Sequence, residues 1–386
     1  MSTVLSIVIP TKNRSSTCIQ AVKAILDYNV DFELLVFDTS DVKDWQLELP
    51  RDSRLKVENG SPDLNIVQCF ESATSKAAGD YVCVIGDDDG ITPALLHWVD
   101  EARRLGFESV SSRETAYALY NWPDIRSKYF GKASAGKLYV RTGRAPVCIE
   151  PDIKLMRAEF SRTGMQGCGA LPRIYHGLVS RRVLLDMLLR FGLRFTGVSP
   201  DVSFSYLASL VVTRHLIIDE PLTISGSSGA SNAGRSAMRE HYGDLWSDPH
   251  MARFRGEPWP AGIPEFFSVE TVWAQAGVRA MQIAGQGEDV AYPYGRLCAQ
   301  LYLRYSAQRK RIMASWRVAE DLEGRSVARR LLIRARLLTT AGAIDLLNLF
   351  KRIRRKLFGD VGTSVFSEVS LISASHTVRR FLERQQ

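Results

Sequence analysis

A run of three adjacent carboxylates, Asp87-Asp88-Asp89, follows directly on an apolar β-prone stretch at residues 81–85, with a glycine on either side. Like charges this close raise one another's pKa, so the chain must bring something positive to them or leave the turn open to water. Upstream the same layout recurs. Residues 5–9 (Leu-Ser-Ile-Val-Ile) and 32–37 are β-prone and end at polar loops, residues 55–57 suggest a short further strand, and helical periodicity runs over 17–28 and 64–78. Buried strands alternating with helices predict an α/β fold with a mostly parallel sheet flanked by helices. Ligands gather beyond the carboxyl ends of such strands, so the loops after Ile9, Phe37 and Ile85 are expected to converge.

After the triplet, Thr92 is placed to cap a helix over 94–105 with Pro93 in its first turn and Gly106 at its end. Residues 107–150 give no clear periodicity, with turn-rich and basic pieces such as 131–143 that look like inserted loops. A strand is expected at 174–179, helices at 182–191 and 202–209, and a strand at 215–219. The Gly/Ser/Ala-rich segment 226–234 marks a mobile loop or a boundary. These readings divide the chain into 1–225 (a first half over 1–106 and a second over 107–225), a helical extension over 226–320 and a basic amphipathic helical tail over 321–386.

Composition excludes several classes. With 386 residues, 45% hydrophobic and 24% charged, the chain is that of a folded protein. Its six cysteines form no CxxC pair or Cys/His set, which argues against a disulfide framework and a structural zinc and fits a reducing cytosol. No apolar run is long enough to span a membrane. The net charge of +8 is local: residues 304–356 hold fifteen Lys and Arg against four acids, a net +11 that leaves the rest at −3.

A divalent cation is the simplest compensation for the triplet, since Asp and diphosphate oxygens are hard ligands suited to Mn²⁺ or Mg²⁺. A solvated acidic turn before a helix is the plain alternative. Taken together, Leu-Ser-Ile-Val-Ile-Pro-Thr-Lys-Asn-Arg (5–14), Leu-Leu-Val-Phe-Asp-Thr-Ser-Asp (34–41) and Ala-Ala-Gly-Asp-Tyr-Val-Cys-Val-Ile-Gly-Asp-Asp-Asp (77–89) resemble family 2 glycosyltransferases of the GT-A fold. The resemblance covers about the first hundred residues. It implies an inverting transfer from a nucleoside diphosphate sugar, with UDP favoured by family frequency, to a glycan or lipid-linked acceptor of the kind used in bacterial-type surface polysaccharide synthesis.

By position, the resemblance puts Pro10, Thr11 and Arg14 on the nucleotide and Asp38 on its base or ribose, with Asn65 lining the donor pocket or capping a helix. Asp88 matches the metal-binding acid of the family's DxD motif. The motif's first acid falls on Gly86, so Asp87 or Asp89 would supply the second contact; Asp89 is assigned to the metal and Asp87 to the donor. The family's acceptor-activating base usually opens a downstream helix, and Asp201, beside Pro200, fits that place or a plain helix cap. His176 is a candidate for the acceptor site, and residues 164–169 for a loop closing over donor.

Two basic amphipathic stretches, 325–338 and 346–357, suggest an anionic membrane surface or packing on the protein or a second subunit. Nucleic acid is disfavoured, because no nucleic-acid fold or aromatic interleaving accompanies the charge. The expected location is the cytoplasm, peripheral on the inner face of the membrane. Two rival functions keep the fold: a sugar-phosphate nucleotidyltransferase, and a non-catalytic scaffold for a membrane- or nucleic-acid-binding tail.

Overall fold

The computed structural model describes residues 4–126, 134–143, 147–149, 153–165, 167–231, 235, 242–285, 292–322, 326–358 and 362–384. It opens with β1 (Leu5–Thr11), α1 (Ser15–Leu26), β2 (Glu33–Asp38), β3 (Leu55–Asn59), α2 (Ile66–Lys76) and β4 (Tyr81–Val84). These four strands pair in parallel in the order β3-β2-β1-β4, as the alternation requires. Side-chain alternation along β1 shows why both faces of its centre are apolar: Ile7 and Ile9 pack on one face with α1, Val8 on the other with α2. A two-residue strand β5 (Gly90–Ile91) precedes α3 (Pro93–Leu105), which Thr92 caps through the Ala94 amide and Gly106 closes at φ 75°.

Residues 107–150, which show no clear periodicity, hold four strands. They contain β6 (Ser109–Ser112), β7 (Tyr117–Asn121), β8 (Lys137–Arg141) and β9 (Val147–Ile149); of the basic insert expected at 131–143, residues 131–133 lie outside the described set. Then come α4 (Ile153–Phe160), β10 (Gly177–Ser180), α5 (Arg181–Phe191), α6 (Pro200–Ala208), β11 (His215–Ile218) and β12 (Thr223–Ser227). The main sheet is completed as β4-β10-β6-β11-β9, with β10 antiparallel to both its neighbours. A second sheet has strand order β15-β8-β7-β12-β5.

The remaining elements are β13 (Tyr242–Gly243), β14 (Phe267–Ser268), α7 (Val269–Ile283), α8 (Tyr294–Arg304), α9 (Arg309–Leu322), α10 (Val327–Phe358), β15 (Ser364–Ser367) and α11 (Leu371–Glu383). The last stretch is not helical throughout. β15 pairs antiparallel with β8, and Leu371, Ala374, Val378 and Leu382 of α11 enter the same buried cluster as α1 and α3. From residue 327 on, the two expected basic stretches are parts of a single 32-residue helix, α10; residue 325 lies outside the described set. Among the described residues no helix is long and apolar enough to cross a membrane.

His215, fully buried on β11, shares a 2.6 Å hydrogen bond with the Ser109 hydroxyl. Burial, and then the field of Arg173, push its pKa down to about 3. A histidine held neutral in the fold contributes stability that is fully present above its unfolded pKa of about 6.5 and is lost as pH falls toward its folded value. Going from about pH 7 to about pH 4.5 should therefore cost roughly 3 kcal/mol through this one group. Urea titrations across that range should show a shallower pH dependence for His215→Gln than for the unaltered protein; equal slopes would mean that His215 is not held neutral.

A candidate functional site at the strand ends

The loops after β1, β2 and β4 do converge. Pro10 to Arg14, Thr39 and residues 85–88 line a cavity of about 920 Å³, and Val198 to Asp201, Arg235, His250, Arg253 and Trp273 also line it. That volume is of the size that holds a drug-sized or nucleotide-sized ligand. Among the residues predicted for the site, Pro10, Thr11, Arg14, Asn65, Asp87, Asp88 and Asp201 all line it.

The positive charge among the acids is Arg14. Its guanidinium lies 2.7 Å from Asp87 Oδ1 through Nη1 and 2.9 Å from Asp88 Oδ2 through Nη2. Burial works against the Arg14 charge, but Asp87 and Asp88 outweigh it and hold its pKa above the ordinary value. Asn13 makes the approach possible. It takes φ 54°, a left-handed conformation that asparagine tolerates, and its side chain exchanges hydrogen bonds with Asp41 while its amide donates to the Ser40 hydroxyl. The chain thereby turns back over the strand ends just before Arg14.

Each acid has a different set of partners. Asp87 Oδ2 accepts from the Thr11 hydroxyl at 2.6 Å. Asp88 Oδ2 accepts from both the amide and the hydroxyl of Ser228, at 3.0 and 2.7 Å. Asp89 is taken up on both oxygens, Oδ1 by the Gly226 amide and Oδ2 by the Gly86 amide and the Tyr175 hydroxyl. Burial first, and then the charge of Asp88, push the pKa values of Asp87 and Asp89 up. Asp89 does not line the cavity; it is a structural acid that ties the turn to β12.

Gly226 explains the Gly/Ser-rich segment, whose first residues are neither boundary nor free loop. A Cβ there would come within 1.9 Å of the Asp88 carbonyl oxygen, so only glycine lets the end of β12 lie against the triplet. Residues 232–234 of that segment lie outside the described set.

Two further residues predicted for the site do not line this cavity. Asp38, predicted to meet the base or ribose, is fully buried and does not line the cavity; its oxygens accept from the Ser40 amide and the Gln46 side chain. It fixes the loop after β2. His176, predicted for the acceptor site, lines a separate recess of about 170 Å³ with Arg173 and Thr223. Its Nδ1 is 2.7 Å from the Thr223 hydroxyl and its Nε2 3.3 Å from Asp89, and burial pushes its pKa down to about 4, so it backs the triplet as a neutral ring. Its neighbour Tyr175 is the residue that reaches the cavity.

Asn65 has both predicted roles open to it. It caps α2 in a reciprocal capping box with Gln68 and also lines the cavity. Asp201 is the second residue of α6, one position inside the helix, with its Oδ1 accepting from the Ser199 hydroxyl at 2.5 Å. Residues 164–169 are packed at both ends: Gly164 at φ 85° sits against the Glu270 carbonyl and Gly169 against the Glu159 carboxylate, and residue 166 lies outside the described set.

Sequence reasoning passed over Lys12, Arg235 and Arg253, which bring further positive charge to the cavity. Arg235 pairs with Asp248 at 2.6 Å, and Lys12 and Arg253 both donate to the Pro62 carbonyl. Burial, and then Arg253, hold the Lys12 pKa below its ordinary value. Lys12 stood within a quoted motif; nothing local marked Arg235 or Arg253, which arrive from distant loops.

No known family matches the sequence, and no curated protein does. Among solved structures the chain is similar to S. aureus TarS 1-349, at 14% identity over 84% of this chain and 93% of that one with a TM-score of 0.43. It is likewise similar to that fragment in complex with UDP-GlcNAc, at 13% identity over 84% and 93% with a TM-score of 0.43, and in complex with UDP, at 14% over 84% and 93% with a TM-score of 0.41. At this distance, what the chain does rests on its own residues.

Removing Arg14 would leave two buried carboxylates uncompensated. Arg14→Met should lower unfolding free energy by about 3 kcal/mol, and adding Asp87→Asn should restore part of the loss. Urea unfolding of the two single variants and the double variant checks this; additive losses would show that Arg14 and Asp87 do not interact.

Proposed function

We propose that the chain is an inverting glycosyltransferase that moves a sugar from a nucleoside diphosphate donor, UDP being the first to test, to an acceptor hydroxyl. The observation that carries this reading is one cavity at the ends of parallel strands lined by Lys12, Arg14, Asp87 and Asp88 together with Asp201, which stands at a helix start. Cationic groups at strand ends suit a diphosphate. Phe70, Phe267 and Trp273 supply apolar walls for the rest of the donor.

The chemistry asked of these residues is limited. Asp201 accepts the proton of the acceptor hydroxyl as its oxygen attacks the anomeric carbon from the face opposite the diphosphate. The bond from that carbon to the diphosphate oxygen breaks, and the charge gathering on the leaving group is met by Lys12 and Arg14. Attack from the opposite face inverts the anomeric centre. The acceptor class that goes with this reading is a glycan or lipid-linked saccharide.

A divalent cation, Mn²⁺ or Mg²⁺, belongs to the same proposal. Among the described residues no group of three or more His, Cys, Asp or Glu side chains is arranged to hold one. Asp89 is fully engaged, whereas the hydrogen bonds and ion pair of Asp88 fall on Oδ2 and leave Oδ1 unclaimed. One carboxylate oxygen fits a cation that is otherwise held by water and donor phosphates, a common arrangement for Mg²⁺. Bound there, it would add positive charge beside the leaving diphosphate. Asp88 is the proposed ligand, and the assignment of Asp89 to the metal is withdrawn because its oxygens are occupied.

Calorimetric titration with nucleoside diphosphates and their sugars, with and without Mn²⁺, should find one nucleotide that binds. Turnover should release the nucleoside diphosphate rather than pyrophosphate. Asp201→Asn should bind donor as before but turn over about 10²-fold more slowly. Donor affinity lost in step with turnover would make Asp201 a structural residue, and no nucleotide binding at all would sink the transferase reading.

A further inference from the structure

Helix α10 has one face buried and another bare. Leu337, Leu338 and Ala341 pack on the main hydrophobic cluster, and the same face is pinned by ion pairs from Arg334 to Glu320, Arg330 to Asp321 and Asp345 to Arg304. With about 100° between successive residues, Leu331, Leu332, Leu346, Leu349, Phe350 and Ile353 fall within an arc of roughly 100° beside that face. All six are exposed, Leu332 by 74% and Phe350 by 60%. Arg329, Arg336, Lys351 and Arg354, also exposed, follow along the arc's outer edge. From Leu331 to Ile353 the stripe runs for roughly 33 Å.

The charge says what covers it. Asp345 is the only acid in α10, and it is bound to Arg304 on the buried face. Nine Lys and Arg lie in residues 327–358, so this helix carries a net +8, the whole excess of the chain. A second copy that packed its own α10 on the stripe would bring no free acid to meet the basic edge, since Asp345 is paired with Arg304. A nucleic acid would satisfy the edge and leave six large apolar side chains in water. We propose that α10 lies in the interface of an anionic bilayer, its leucine stripe among the acyl chains and its basic edge at the headgroups. This does not rest on the transferase reading, and its test does not use donor or acceptor.

The full chain should sediment with vesicles of phosphatidylcholine and phosphatidylglycerol, far less with vesicles of phosphatidylcholine alone, and less as salt is raised. Leu332→Glu with Phe350→Glu, both exposed, should leave the circular dichroism spectrum unchanged and weaken binding by about tenfold or more. Arg336→Glu with Lys351→Glu should weaken binding to anionic vesicles and reduce its salt dependence. Absence of vesicle binding, or binding unchanged in both variants, overturns the proposal. A dimer in analytical ultracentrifugation that Phe350→Glu dissociates would give the face to a second copy, and duplex binding that survives Leu332→Glu with Phe350→Glu would give the basic edge to nucleic acid; either overturns it as well.

Discussion

Three carboxylates in a row at the end of a buried strand form a constraint that the rest of this structure answers. Arg14 supplies one positive charge across Asp87 and Asp88, and amide and hydroxyl donors from Gly86, Gly226, Ser228, Thr11 and Tyr175 supply the rest. Those donors come from four separate pieces of chain. The triplet also bridges two sheets, because β4 before it belongs to the first and β5 after it to the second. Satisfying the charge therefore fixes the loop after β1, the end of β12 and the junction between the sheets in one set of contacts. Buried acids with incomplete partners would be costly, so this set forms together or not at all.

The consequence for function is preorganisation. Asp87 and Asp88 face the cavity already held by short contacts, and the cationic groups of the loop after β1 stand beside them before any ligand arrives. A charged leaving group would meet oriented dipoles and ions without reorganisation of the chain. Asp201 reaches the same space from α6, which is buried along most of its length and so gives its first turn little freedom.

Much of this was legible in the sequence because it depends on local pattern. The parallel strands β1 to β4, the capped helix α3, the convergence of three loops and the placement of Asp201 at a helix start all follow from short-range periodicity, caps and strand ends. What failed depends on distance along the chain. The second sheet is built from short strands of mixed residues whose partners lie far away, as β15 lies from β8. Gly226 looked like a linker because its reason is the Asp88 carbonyl, and the pairing of Arg14 with the triplet went unread because its ion pairs close only on folding. Asp38 and His176 carried plausible chemistry in sequence, yet one is buried beneath its loop and the other stands behind the triplet. Chemical character can be read locally; which way a side chain faces is set by packing.

A crystal structure of the chain with UDP bound is the most direct test of the central claim that the cavity over the triplet holds a donor diphosphate. The account predicts the diphosphate within hydrogen-bond reach of Lys12 or Arg14, on the side of the cavity lined by Asp88 and facing Asp201. Nucleotide bound elsewhere, or seated in the cavity with its diphosphate away from residues 10–14, would contradict it.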